Sequence, residues 1–477
     1  MRTRTRRISR GLAVLVALLL STTPAHAAPG GTALDWQDCP NPADIPLHGL
    51  RCAKVRVPLD YRDPAGRTID LTISRLASAK PEKRRGILLM NNGGPGIPSL
   101  LMPARGIPLG LPQSVRDSYD LIGFDPRGVG ESTPVGCDIP REYGSSVQPY
   151  PRNAGDVVRH AALVRRVAEN CGKNDSGKLL PFISTANTAR DMDRIRAALN
   201  ERKASYLGVS YGTYLGAVYA ALFPARTDRV LLDSAVGSGG MDETQFRRIG
   251  AGFQERFPDF ARWAAARAQT YHLGDTPEQV TAKYFELAER LGPDFRGGTL
   301  DALTGRMSSD DQFPELARRW QAADREHQPR IAPTDNVLSA QTHVICNDAD
   351  WPASVGHYVR AVERDRVRFP MFGAAAANIS PCAFWPVDPI EPPVRIGGRG
   401  PSNVLIVQNL RDPITPLAGA RSLRAAFGGR ARLVTVDQGG HGVYLLVGQN
   451  RCGKDSVTNF LVHGTRADAS CPAEPPA

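Results

Sequence analysis

The sequence has no Cys-x-x-Cys pair, so neither a zinc ribbon nor a thiol-redox centre is expected, and no metal or other cofactor is assigned. It lacks any dense Lys/Arg patch interleaved with aromatics, which argues against nucleic acid as a partner. No internal repeat is visible, which argues against solenoid and propeller architectures. Beyond the first 27 residues no segment is long and apolar enough for a membrane helix, so no stable membrane anchor is expected. No feature of the chain dictates an oligomeric state, and a monomer is compatible with it.

What is present begins with a leader. Arg2, Arg4, Arg6, Arg7 and Arg10 precede a short apolar run at 11–20, and Ala25-His26-Ala27 has small-x-small spacing. Residues 1–27 therefore read as a signal peptide, and the protein as secreted. Arg6-Arg7 leaves twin-arginine export open beside the general route. The formal net charge of +11 falls to +6 once these five arginines are removed, a solvated basic surface rather than a polyanion site. Eight cysteines follow, an even number that suits disulfides in an exported chain. The simplest pairing joins neighbours: Cys39 with Cys52, Cys137 with Cys171, Cys346 with Cys382, and Cys452 with Cys471.

The 477 residues are 42% hydrophobic and 22% charged, a globular composition. Residues 50–76 alternate as antiparallel strands do, with a turn at 63–66. After them come short apolar runs at 86–90, 119–124, 205–207, 230–232, 404–407 and 433–436, most ending in Gly, Asn or Asp. Such runs, separated by helical stretches, predict buried parallel strands in an α/β sheet, with functional groups at the strand C-terminal ends. From 238 to 385 strand-like runs are scarce, and helices are predicted at 278–291 and 314–326. The expected organisation is a core formed by 28–237 and 386–477, with a mostly helical cap at 238–385 between its halves.

The chemistry starts at Ser210 in Gly208-Val209-Ser210-Tyr211-Gly212. A serine alcohol is a weak nucleophile and needs a base, a group to orient that base, and oxyanion donors. Among 46 glycines this pattern would arise by chance roughly 0.2–0.3 times, so its context carries the weight. A strand-like run precedes it and a helical stretch follows, as in a nucleophile elbow. Of the downstream histidines, His441 alone sits between glycines just past a strand-like run. Three aspartates could orient it. Asp412 lies in a loop stiffened by Pro413 and Pro416; Asp233 and Asp437 also end strand-like runs. Asp412 is favoured. One oxyanion amide should belong to Tyr211, and the other to the loop Asn92-Gly93-Gly94-Pro95-Gly96. Arg127, in Asp125-Pro126-Arg127-Gly128, could brace the site or simply shape a turn.

Asn-Gly-Gly-Pro-Gly at 92–96 resembles the His-Gly-Gly-Pro-Gly loop of proline iminopeptidases and related serine aminopeptidases. The segments at 125–132, 208–216, 412–416 and 439–442 are similar to those of the secreted tripeptidyl aminopeptidases of actinomycetes. The resemblance spans about residues 36–472 and implies an α/β-hydrolase fold. It places the nucleophile on Ser210, the acid on Asp412, the base on His441, and the oxyanion donors on Tyr211 and Gly94. One departure is Asn92, where the iminopeptidases have histidine. The implied activity is release of short peptides or amino acids from peptides with a free N-terminus. That specificity requires a carboxylate for the substrate ammonium; Glu243, Asp242, Asp348 and Asp350 are candidates, Glu243 and Asp348 foremost. An esterase or lipase, an amide hydrolase of a small metabolite, and a non-catalytic binding protein are the rival readings.

Overall fold

The computed structural model describes residues 34–144, 148–175, 177–292, 307–323, 333–445 and 450–474. The expected signal peptide at 1–27 and part of the helix expected at 314–326 lie outside them.

The described strands are β1 (Gln37–Asp38), β2 (Arg51–Pro58), β3 (Thr68–Leu76), β4 (Ile87–Asn91), β5 (Asp120–Phe124), β6 (Ala204–Val209), β7 (Thr227–Asp233), β8 (Val404–Arg411), β9 (Ala431–Gly439) and β10 (Ala469–Cys471). They form one sheet in the order β1-β2-β3-β5-β4-β6-β7-β8-β9-β10. From β5 through β10 all neighbours are parallel, whereas β1, β2 and β3 pair antiparallel, β3 also with β5. This is the mostly parallel sheet of the α/β-hydrolase fold. The alternating segment at 50–76 forms the β2–β3 hairpin, with Arg51 opposite Arg75 and Pro58 opposite Thr68. The edge strands β1 and β10, two and three residues long, carry no apolar run that a sequence could reveal.

The central strands are uniformly apolar because both faces are covered. Ile87 and Leu89 of β4 join Ile406 of β8, Leu215 and Leu423 in one cluster. Leu88 and Met90 point the other way, toward Val407, Val457 and Phe460. Helices Tyr211–Leu222 and Leu417–Phe427 cover the first face, and Arg451–His463 the second.

Between β7 and β8 the described residues contain helices and no strand. Helices Glu243–Ala265, Pro277–Arg290, Phe313–Ala322 and Val355–Arg368 share a third apolar cluster. Phe257, Phe260, Tyr284 and Trp320 meet at its centre, mostly edge to face, with Phe260 and Trp320 ring centroids 5.1 Å apart. The chain reaches this cluster twice. Helix Ala154–Lys173, from the β5–β6 connection, contributes Val157, Val164 and Val167 to it. The sequence reading assigned that helix to the core half of the chain. Its amphipathic pattern identifies an apolar face but not the partner that covers it.

The cysteines pair as neighbours: Cys39–Cys52, Cys137–Cys171, Cys346–Cys382 and Cys452–Cys471. Among the described residues, no helix is long and apolar enough to cross a membrane.

Candidate active site

Ser210 lies between the end of β6 and the helix Tyr211–Leu222, with φ 59° and ψ −127°. A non-glycine residue in this left-handed region costs on the order of 1–2 kcal/mol and persists only where its surroundings hold it. Here they do. The Ser210 N–H donates to the Asp233 carbonyl at 3.0 Å, and its own carbonyl accepts from Thr213 N–H at 2.9 Å. The flanking glycines permit the close turn: a Cβ on Gly208 would lie 2.3 Å from the Gly212 carbonyl oxygen.

The loop after β4 packs against this turn. A Cβ on Gly93 would sit 2.6 Å from the Val209 oxygen and 2.9 Å from Ser210 Cβ. The Gly93 N–H is engaged locally, donating to Asn91 Oδ1 at 3.0 Å. The next amide, Gly94, meets no acceptor among the described residues. Tyr211 opens its helix, and the first amides of a helix have no intrahelical partner. Asn92, where the related iminopeptidases have histidine, accepts a hydrogen bond from Ser99 Oγ at 2.6 Å and ties the loop to its own base.

Asp412 follows β8 and is fully buried. Its Oδ1 accepts the Ile414 and Thr415 amides, both at 2.9 Å, and its Oδ2 accepts Thr415 Oγ1 at 2.9 Å. His441 Nδ1 lies 2.9 Å from the same Oδ2. That contact assigns the proton to Nδ1 and leaves Nε2 as the basic nitrogen. Burial alone would lower the His441 pKa; the Asp412 charge, their hydrogen bond and the Asp233 charge outweigh it and hold it above the ordinary value. Burial likewise opposes ionisation of Asp412, but His441 and the loop amides keep that carboxyl below its usual range.

The two other aspartates are employed elsewhere. Asp437 is half-exposed and paired with Arg411 at 2.6 Å. Asp233 is fully buried, and its carboxylate accepts the N–H groups of Val443 and Tyr444, each at 2.9 Å. Ser234 Oγ accepts the Gly442 N–H at 2.8 Å. The loop carrying His441 is thus fastened to the same strand end that holds the Ser210 amide. Arg127 is fully buried in an ion pair with Asp191 and donates to the carbonyls of Pro58, Leu59 and Phe182, a brace within the core.

The four ammonium candidates separate by their partners. Asp242 caps its helix, accepting Gln245 N–H at 2.8 Å. Glu243 holds His357 Nε2 at 2.9 Å and lies near Arg247. Asp350 is exposed. Asp348 faces a pocket also lined by Thr185, Tyr214, Asn347 and Glu391. It accepts the Thr185 N–H at 2.8 Å and the Thr185 hydroxyl, which also meets the Tyr211 phenol. No cation pairs with Asp348 among the described residues, and burial pushes its pKa up to about 7. Sequence reasoning missed the Thr185 bridge and the Asp233 contacts, since neither leaves a local pattern. The one described cluster of metal-ligating types is Cys137, Cys171 and His343. Both of its sulfurs are spent in a disulfide.

Comparison with known proteins adds three relatives. A tripeptidyl aminopeptidase of Streptomyces lividans is 36% identical, over 93% of this chain and 87% of that protein. The serine protease Hip1 of Mycobacterium tuberculosis is 30% identical, over 91% and 90% respectively. A Mycobacterium tuberculosis protein named carboxylesterase B is 30% identical, over 90% and 87%. The family model described as "TAP-like protein" matches residues 369–471.

Proposed function

Because the chain belongs to the tripeptidyl aminopeptidase family of serine hydrolases, we propose that it is a secreted exopeptidase releasing short peptides, tripeptides foremost, from free N-termini. The buried 2.9 Å contact between His441 and Asp412, on a loop tied to the strand end that holds Ser210, carries the reading. His441 Nε2 takes the Ser210 proton as Oγ attacks the scissile carbonyl. Asp412 keeps the imidazole in the required tautomer and stabilises its cation. The amides of Tyr211 and Gly94 receive the oxyanion. His441 then protonates the leaving amine, and water releases the acyl group. Asp348 is favoured over Glu243 for the substrate ammonium, because Glu243 already holds His357 and Arg247. Four disulfides and the leader-like N-terminus support export.

Turnover of a tripeptidyl arylamide and its N-acetylated form tests the specificity. A free ammonium should raise kcat/KM by about a hundredfold or more if a buried carboxylate receives it. Equal rates would instead favour an esterase or amidase, the reading supported by the carboxylesterase-named relative. Ser210→Ala should abolish both turnover and labelling by a fluorophosphonate; labelling at another residue overturns the nucleophile.

A further inference from the structure

We propose that Asp233 is a second carboxylate of the catalytic apparatus, a positioning residue that clamps the backbone of the His441 loop and adds its charge behind the imidazole. The proposal rests on the Ser210–Asp412–His441 reading and goes beyond it. Gly440 and Gly442 flank His441 with φ of 104° and 96°. Val443, Tyr444 and Leu445 anchor the far side of this loop in the core, but the two glycines beside His441 have no side chains to pack, so hydrogen-bonded tethers hold the backbone there.

The His441 amide donates to the Ser308 carbonyl at 2.8 Å and the Gly440 amide to the Arg411 carbonyl at 3.1 Å, while the amides of Gly442, Val443 and Tyr444 all go to the end of β7. The Asp233 carboxylate accepts two consecutive amides, Val443 and Tyr444, and the neighbouring Ser234 hydroxyl accepts Gly442. The Asp233 carbonyl meanwhile accepts the Ser210 amide. One residue therefore contacts the nucleophile turn through its main chain and the base loop through its side chain. Asn409 adds a brace from β8, donating to the carbonyls of Gly440 and Gly442 at 2.9 and 3.0 Å.

The charges around the site are few. The charges of His441 and Asp412 act on Asp233, the first favouring its ionisation and the second opposing it. Farther round the loop, Arg256 lies against Gly439 and pairs with Asp259, which also holds Arg411. Burial sets Asp233 at about 6, from an ordinary 3.8, with the two amides and His441 restraining the rise. The Asp233 charge is in turn one of the influences that raise the His441 pKa. That charge stabilises the imidazolium, the state His441 reaches after taking the serine proton.

The test compares pH profiles of kcat/KM for wild type, Asp233→Asn and Ser234→Ala, with p-nitrophenyl acetate as substrate so that peptide specificity does not enter. The acidic limb reports His441 in the free enzyme. Asp233→Asn keeps the shape, loses the charge, and leaves one acceptor oxygen where the carboxylate had two. It should lose about tenfold or more in kcat/KM, with the acidic limb moved down by roughly half a pH unit. Ser234→Ala removes a tether without a charge and should lower kcat/KM about threefold with the limb unmoved. An unmoved limb in folded Asp233→Asn overturns the electrostatic role. Wild-type kcat/KM in Ser234→Ala overturns the tether, and decides it alone if circular dichroism shows Asp233→Asn unfolded. Should Ser210→Ala retain turnover, the triad reading itself has failed. A dead Ser210→Ala beside an unaltered Asp233→Asn removes only this inference.

Discussion

Three aspartates that look alike in sequence do different work once hydrogen bonds are counted. Asp412 receives His441, Asp233 receives backbone amides, and Asp437 receives Arg411. Ser210 and His441 were legible because each follows an apolar run and sits between or near glycines. The partner of each carboxylate was not, since it lies in a different strand or helix. Asp348 yields a prediction of this kind. Its folded pKa of about 7 lies above the ordinary 3.8, so the native state binds the proton more tightly than the unfolded chain. That contribution to stability is complete below about pH 4 and is lost as pH rises through about 7. Asp348→Asn should therefore raise Tm by about 2 °C at pH 8 and leave it unchanged at pH 4, as calorimetry would read. The same variant should raise KM for free-amine peptides and spare the acetylated ones. A lower Tm at pH 8 would show that the contact to Thr185 outweighs the cost of the partly buried charge.

At the scale of elements, the proposed site is built on a contact between two turns. The β4 loop and the Ser210 turn approach so closely that Gly93 has no room for a methyl group. Gly93→Ala should lower kcat by about a hundredfold while the protein still folds, because it displaces the loop proposed to carry an oxyanion donor. Gly49 is the control. It has φ 87° with nothing within 4 Å of a built Cβ, so Gly49→Ala should cost about 1 kcal/mol of stability and no activity. Paired kcat and melting measurements separate crowding from backbone strain. The places of the central strands along the chain were readable from apolar runs, but their order in the sheet was not. Neither was the ladder register, because a run buried on both faces has no alternation to fix it.

For the whole molecule, the sheet is a continuous platform and the disulfides fasten its periphery. Cys39–Cys52 joins the segment after β1 to β2, and Cys452–Cys471 joins the last helix to β10. Each closes a short loop and should contribute roughly 3 kcal/mol in the chain-entropy picture. Reduction should accordingly lower the thermal midpoint by several degrees; an unchanged midpoint in the fully reduced protein would show that the sheet needs no fasteners. The helical assembly was only half legible: helices were expected near 278–291 and 314–326, but the longer Glu243–Ala265 and the mutual contacts were not.

That assembly is drawn from two stretches of chain on either side of the nucleophile strand. Tyr150, from the first, donates its hydroxyl hydrogen to the carbonyl of Pro370, from the second. Anyone hoping to exchange substrate preference between relatives by grafting residues 238–385 alone would transplant an incomplete object. The recipient would supply a foreign helix where Ala154–Lys173 belongs, and the aromatic cluster would lose the apolar wall that Val157, Val164 and Val167 provide. The exchangeable unit is discontinuous, and a chimera that carries both stretches together is the one that keeps its interior intact.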